Sequence, residues 1–111
     1  MKFVLLTRYT TVARDDATLK AHREWLIPQS AAGSFVLSGS FGDFEAGPAG
    51  ELAALAVIEA ASYYEAEEIV SAEPLFAQGC CTHELLPFTP RVRRADLEGA
   101  FAQDMIVIPP L

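Results

Sequence analysis

The chain has 111 residues, enough for one domain and too few for two cores of ordinary size. Hydrophobic residues make up 51% of it and charged ones 21%, so it can bury enough apolar surface to offset the entropy of ordering, and wholesale disorder is excluded. Eight Lys and Arg against fifteen Asp and Glu leave a net charge of -7, which repels a nucleic-acid backbone and sets nucleic acid aside as a partner.

Lys2 to Tyr9 is apolar and β-prone, with Phe3, Leu5 and Tyr9 on one parity and Val4 and Leu6 on the other. Thr7 and Arg8 interrupt its apolar run too early for a signal peptide or a membrane span, so it reads as a strand, with no membrane partner. Asp15 and Asp16 offer a helix N-cap, after which Leu19, His22, Arg23 and Leu26 recur at helical spacing. Pro28 is expected to end or kink that helix near Ile27, with Gly33 as the stop if it resumes. Phe35 to Phe41 reads as the second strand, Gly42 to Gly50 as a loop or hairpin turn, and Leu52 to Glu59 as the third strand.

Ser62-Tyr63-Tyr64-Glu65 matches a capping box and opens a second helix, whose buried side is Ala66, Ile69 and Val70. Pro74 ends it by excluding helical geometry at Glu73. Cys80 to Phe88 gives the fourth strand. The order β-α-β-β-α-β is that of a ferredoxin-like α+β domain over residues 1–88. Residues 89–111 follow as a C-terminal arm, with Ala95 to Phe101 readable as a short helix and Met105 to Ile108 as a short strand. Two helices cover only one face of four strands, yet the strands are apolar on both parities. A homodimer packed sheet to sheet would cover the second face.

The adjacent Cys80 and Cys81 would point to opposite faces of a strand, which disfavours a bond between them and suits reduced thiols in a cytoplasmic protein. No HxH, HExxH or CxxC spacing unites His22, His83, Glu84 and the cysteines, so no metal is expected. Without a GxGxxG or GxxxxGK[ST] run, no nucleotide cofactor is expected either. His22 lies between Leu19 and Leu26 and so faces the sheet. Glu73 leaves the second helix, read alone as a solvated helix-end carboxylate. The two helices of a β-α-β-β-α-β unit share a sheet face, so Glu73 can meet His22 and orient its ring for acid/base work. Ser38 and Ser40 share a parity with Val36, and Gly39 between them leaves room for a ligand. No G-x-S-x-G elbow supports a nucleophilic serine. Arg8 is a candidate for binding an anionic group, and Tyr9 for donating a proton.

The run Gly33 to Gly39, the segment Ala72-Glu73-Pro74-Leu75-Phe76-Ala77-Gln78-Gly79 and the histidine of the first helix together resemble the YciI-like (YCII-related) family over residues 1–88. The resemblance implies a dimeric α+β barrel of ferredoxin-like subunits, with a shape related to muconolactone isomerases. It also implies a cleft holding a helix-one histidine and the acid before the proline, here His22 and Glu73. The family's usual acid is Asp, and its usual Gly-Pro after the second strand is Gly39-Ser40 here. Family activities such as dechlorination of a chlorinated hydroxyquinol do not carry over by fold alone.

These readings converge on a cofactor-independent enzyme of lyase or isomerase type, possessing a His22-Glu73 pair and acting on a small aromatic or lactone-like metabolite. The alternative is a non-catalytic protein that binds a small molecule in the same cleft.

Overall fold

The computed structural model describes residues 1–43, 46–97 and 106–109. In chain order its elements are β1 (Lys2–Tyr9), α1 (Asp16–Ala31), β2 (Phe35–Ser40), β3 (Leu52–Glu59), α2 (Tyr63–Ser71), α3 (Pro74–Ala77), β4 (Cys81–Phe88), β5 (Val92–Arg94) and β6 (Ile106–Ile108). The first four strands form one antiparallel sheet in the order β2-β3-β1-β4. With α1 and α2 as crossovers, this is the ferredoxin-like α+β arrangement expected from the element order.

Local chemistry explains where the helices begin. Asp15 accepts the Thr18 N–H at 2.7 Å, and Ser62 accepts the Glu65 N–H at 3.1 Å, while the Glu65 carboxylate reaches back to the Ala61 N–H at 3.2 Å. Helix α1 runs on through Pro28 to Ala31, past the expected break at Ile27. Proline forfeits its own N–H bond but not its carbonyl, and the Pro28 carbonyl accepts from Ala32 at 2.9 Å. Gly33, at φ 86°, then turns the chain into β2.

Helix-facing positions of β1, β2 and β3 supply the main core: Phe3, Leu5, Phe35, Ala56 and Ile58 pack with Ala66 and Val70 of α2. Trp25 of α1 closes over Phe35 edge to face at 5.3 Å. A second cluster toward the other end joins Tyr9, Leu19, Ala53, Leu75, Cys80 and Cys81. An irregularity in the β2–β3 register between Phe35 and Leu37 changes the parity of β2. Phe35 pairs with Ile58 but Ser38 pairs with Ala56, so Ser38 and Ser40 share the helix-covered face with Phe35 rather than following Val36.

The opposite face carries Val4, Leu6, Leu37, Leu55, Leu86 and Phe88. Leu37, Leu86 and Phe88 are exposed there. In the arm, β5 pairs with β6 in parallel. The expected strand is present from Ile106, whereas Met105 lies outside the described residues. Of the expected helix Ala95–Phe101, Ala95 and Asp96 form a turn, and residues 98–101 lie outside the described residues. Among the described residues, no helix is long and apolar enough to cross a membrane.

Candidate active site

The peptide between α2 and β4 does more than end a helix. Glu73 is extended, at φ -63° and ψ 128°, because a residue before proline avoids the helical region. Pro74 then opens α3 as its first residue, where a missing N–H costs nothing. Glu73 thereby becomes the N-cap, its Oε1 accepting the Leu75 N–H at 3.0 Å and its Oε2 the Phe76 N–H at 2.9 Å. The expected solvated helix-end carboxylate is instead 4% exposed. Folding α3 under α1 turns it inward, and the two backbone donors make its burial tolerable.

His22 projects from α1 onto this carboxylate, with Nδ1 2.5 Å from Glu73 Oε1. An ionised carboxylate only accepts hydrogen bonds, so Nδ1 carries the hydrogen and proton exchange with a ligand falls to Nε2. Burial pushes the Glu73 carboxyl up, but hydrogen bonds from His22 and from the Leu75 and Phe76 N–H groups outweigh it and hold the group below the usual glutamate value.

His83 and Cys81 complete the polar cluster from β4. They are two residues apart on one strand and pair with Thr7 and Tyr9, so both face the helices. The His83 ring stacks on Phe76, with centroids 4.6 Å apart and planes 12° apart. Burial lowers its pKa, more than the attraction of Glu73 raises it, and the neighbouring His22 adds to the lowering. Burial and then the Glu73 charge push the Cys81 thiol up to about 12, so it is a thiol and no nucleophile at neutral pH. Both cysteines are free and buried.

A cavity of about 260 Å³ opens onto these groups. His22, Glu73, His83 and Thr7 supply polar wall, Ser38 and Ser40 form its margin on the edge strand β2, and Leu5, Leu26, Phe35 and Leu75 line the apolar part. Four of the six residues singled out in the sequence, His22, Glu73, Ser38 and Ser40, are thus brought to one cavity. Arg8 is not: it belongs to the opposite parity of β1, is exposed, and donates to the Gly50 carbonyl at 3.0 Å. Tyr9 is buried beneath the Arg14 guanidinium, 3.5 Å from its ring centroid, and does not line the cavity.

Spacing motifs missed Cys81 and His83 as members of the cluster because their third companion, Glu73, comes from another element. The legible signal was the C-x-H alternation itself, which places two donor side chains on one face of a strand.

Residues 1–89 match the YCII-related domain. The chain belongs to the YCII-related family. No curated protein sequence matches it. Among solved structures, 5-chloro-2-hydroxyhydroquinone dehydrochlorinase (TftG) from Burkholderia phenoliruptrix AC1100, in complex with 2,5-dihydroxybenzoquinone, is similar in fold, with a TM-score of 0.58 at 19% identity. The similarity covers 81% of this YCII-related chain and 95% of that one.

Proposed function

We propose that this YCII-related protein is a lyase- or isomerase-type enzyme acting on a small, single-ring metabolite, with His22 as the proton-transfer group and Glu73 as its orienter. The observation that carries the reading is the 2.5 Å contact between His22 Nδ1 and the buried Glu73 carboxylate at the wall of a cavity. Holding Nδ1 as a donor leaves Nε2 basic in the neutral ring, ready to take a proton from substrate and return it. The apolar wall suits a ring, and the serines and histidines suit its oxygen substituents. The dehydrochlorinase of similar fold acts on a hydroxylated ring by its name, which supports choosing that class first.

A specific observation favours the alternative of a non-catalytic binding protein: Glu73 also caps α3, so its burial has a structural reason of its own. Turnover separates the two. A panel of hydroxylated single-ring compounds and lactones is screened for conversion by the wild type. With the converted compound, His22→Ala is expected to lose about 10²- to 10⁴-fold in rate, the range for a general acid/base, and Glu73→Gln less because its amide still serves the ring. Full rate in a folded His22→Ala variant would transfer the case to the binding protein.

The exposed Leu37, Leu86 and Phe88 on the opposite face support a homodimer packed sheet to sheet, the partner state proposed here.

A further inference from the structure

Three donor atoms of different chemistry converge beside the cavity, two of them on residues that line it, Glu73 and His83. Cys81 Sγ lies 3.7 Å from His83 Nε2 and 3.8 Å from Glu73 Oε2, and His83 Nε2 lies 3.9 Å from Glu73 Oε2. These three atoms make a nearly equilateral triangle. Its centre is about 2.2 Å from each corner, close to zinc bonds of about 2.3 Å to sulfur and about 2.0–2.2 Å to nitrogen and oxygen. The Cys81 thiol lies within hydrogen-bonding reach of both Glu73 Oε2 and His83 Nε2 at distances usual for sulfur, so a cation would take the place of the thiol proton among the same three atoms. The His83 side chain is only 7% exposed, its Nδ1 has no hydrogen-bond partner among the described residues, and Nε2 has only these long contacts. With Nδ1 carrying the hydrogen, Nε2 is the ring nitrogen whose lone pair faces the other two donors.

We infer that Glu73 Oε2, Cys81 Sγ and His83 Nε2 form a binding site for one thiophilic divalent cation, of which Zn²⁺ is the best match to a mixed S, N, O donor set. Backbone geometry holds the three in place without the ion. Cys81 and His83 are fixed by the strand register with β1, the His83 ring by its stack on Phe76, and the Glu73 carboxylate by the Leu75 and Phe76 N–H groups. Oε2 can serve the cation beside the Phe76 N–H because a carboxylate oxygen has two lone pairs. His22 stays on Oε1, giving a histidine–carboxylate–metal chain in which His22 positions the ligand rather than binding the ion. On binding, the Cys81 S–H bond breaks, sulfur keeps the electron pair and bonds the cation, and the proton leaves to buffer. Glu73 and His83 line the cavity, so the fourth position opens toward it and would take water or an oxygen of a small ligand.

Metal binding is measured directly and independently of turnover. Chelator-treated full-length protein is titrated with Zn²⁺ against a chromophoric chelator, and separately with Co²⁺ under reducing conditions. The expected result is one ion per chain, with a thiolate-to-cobalt charge-transfer band and the visible bands of a tetrahedral site. Cys81→Ser should abolish the charge-transfer band, and His83→Gln should weaken Zn²⁺ binding by more than the roughly 10- to 100-fold typical of losing an outer-shell partner. His22→Ala should keep the charge-transfer band, whatever it does to turnover. Absence of stoichiometric binding by the folded wild type, or a cobalt spectrum without thiolate character, would overturn the site.

Discussion

Beneath α1 and α3 the sheet buries Glu73 at 4% exposure beside His83 and Thr7, whereas its other face leaves Leu37 at 61% and Leu86 at 41%. The covered side thus holds a buried carboxylate beside its apolar core, and the uncovered side leaves large apolar side chains exposed. Each is stable for a different reason. A buried carboxylate persists because both oxygens receive hydrogen bonds, here from His22, Leu75 and Phe76, and it is destabilising once they are removed. Exposed leucines on a sheet face cost the monomer little, but they favour whatever covers them. The polar pocket is therefore built within a single chain, and the apolar face is the one that the proposed dimer would cover.

Removing the carboxylate should break the covered side most. Glu73→Ala deletes the α3 cap and leaves the Leu75 and Phe76 N–H groups unserved, an expected loss of roughly 2–4 kcal/mol in denaturant unfolding. Glu73→Gln can keep part of the cap and should fall well short of that loss. Equal losses in the two variants would mean that charge, and not cap geometry, holds α3.

The uncovered face should respond in assembly rather than in folding. Leu37→Glu alters an exposed side chain, so its effect on the fold itself should stay within about 0.5 kcal/mol. In light scattering, the wild type should report twice the 12.0 kDa chain mass and the variant a single chain. A monomeric wild type would remove the proposed dimer and leave the face for another occupant.

Acid gives a smaller and graded effect, best read on chelator-treated protein. Folding lowers the His83 pKa, so as pH falls through the ordinary 6.5 the unfolded chain gains a proton that the folded one refuses, and stability declines. Folding also lowers the Glu73 value, so a further decline sets in as pH falls past the ordinary 4.5 and continues through the folded-state value. Both contributions have the same sign, with stability greatest near neutrality. Thermal unfolding across this range should show a shallower upper limb in His83→Gln. An unchanged limb would place the titration elsewhere.

Much of this was legible beforehand because it is local or periodic. The caps at Asp15 and Ser62 involve residues three positions apart, and the strands announced themselves as short β-prone apolar runs bounded by turn signals. Element order allowed the His22-Glu73 pairing, since two crossover helices share a sheet face, and the family resemblance pointed to the same two positions. Less legible were features in which one local rule yields to another. Pro28 lies close enough to the end of α1 for the helix to continue, and Pro74 begins a helix while ending one. The irregularity near Val36 reverses the parity on which Ser38 and Ser40 were placed.

By itself, the sequence determined the order of the four main strands and two crossover helices and the resemblance to the family, and it allowed His22 to meet Glu73, because hydrophobic period, caps and short motifs are encoded within a few residues of one another. Only the tertiary structure decided that Glu73 is buried, that Arg8 faces away, and that Cys81 and His83 join Glu73 in a triangle of donors. Those outcomes depend on which face of a strand meets which helix end. That is set by register and by the packing of α3 under α1, where contacts span fifty residues of chain and leave no short-range trace.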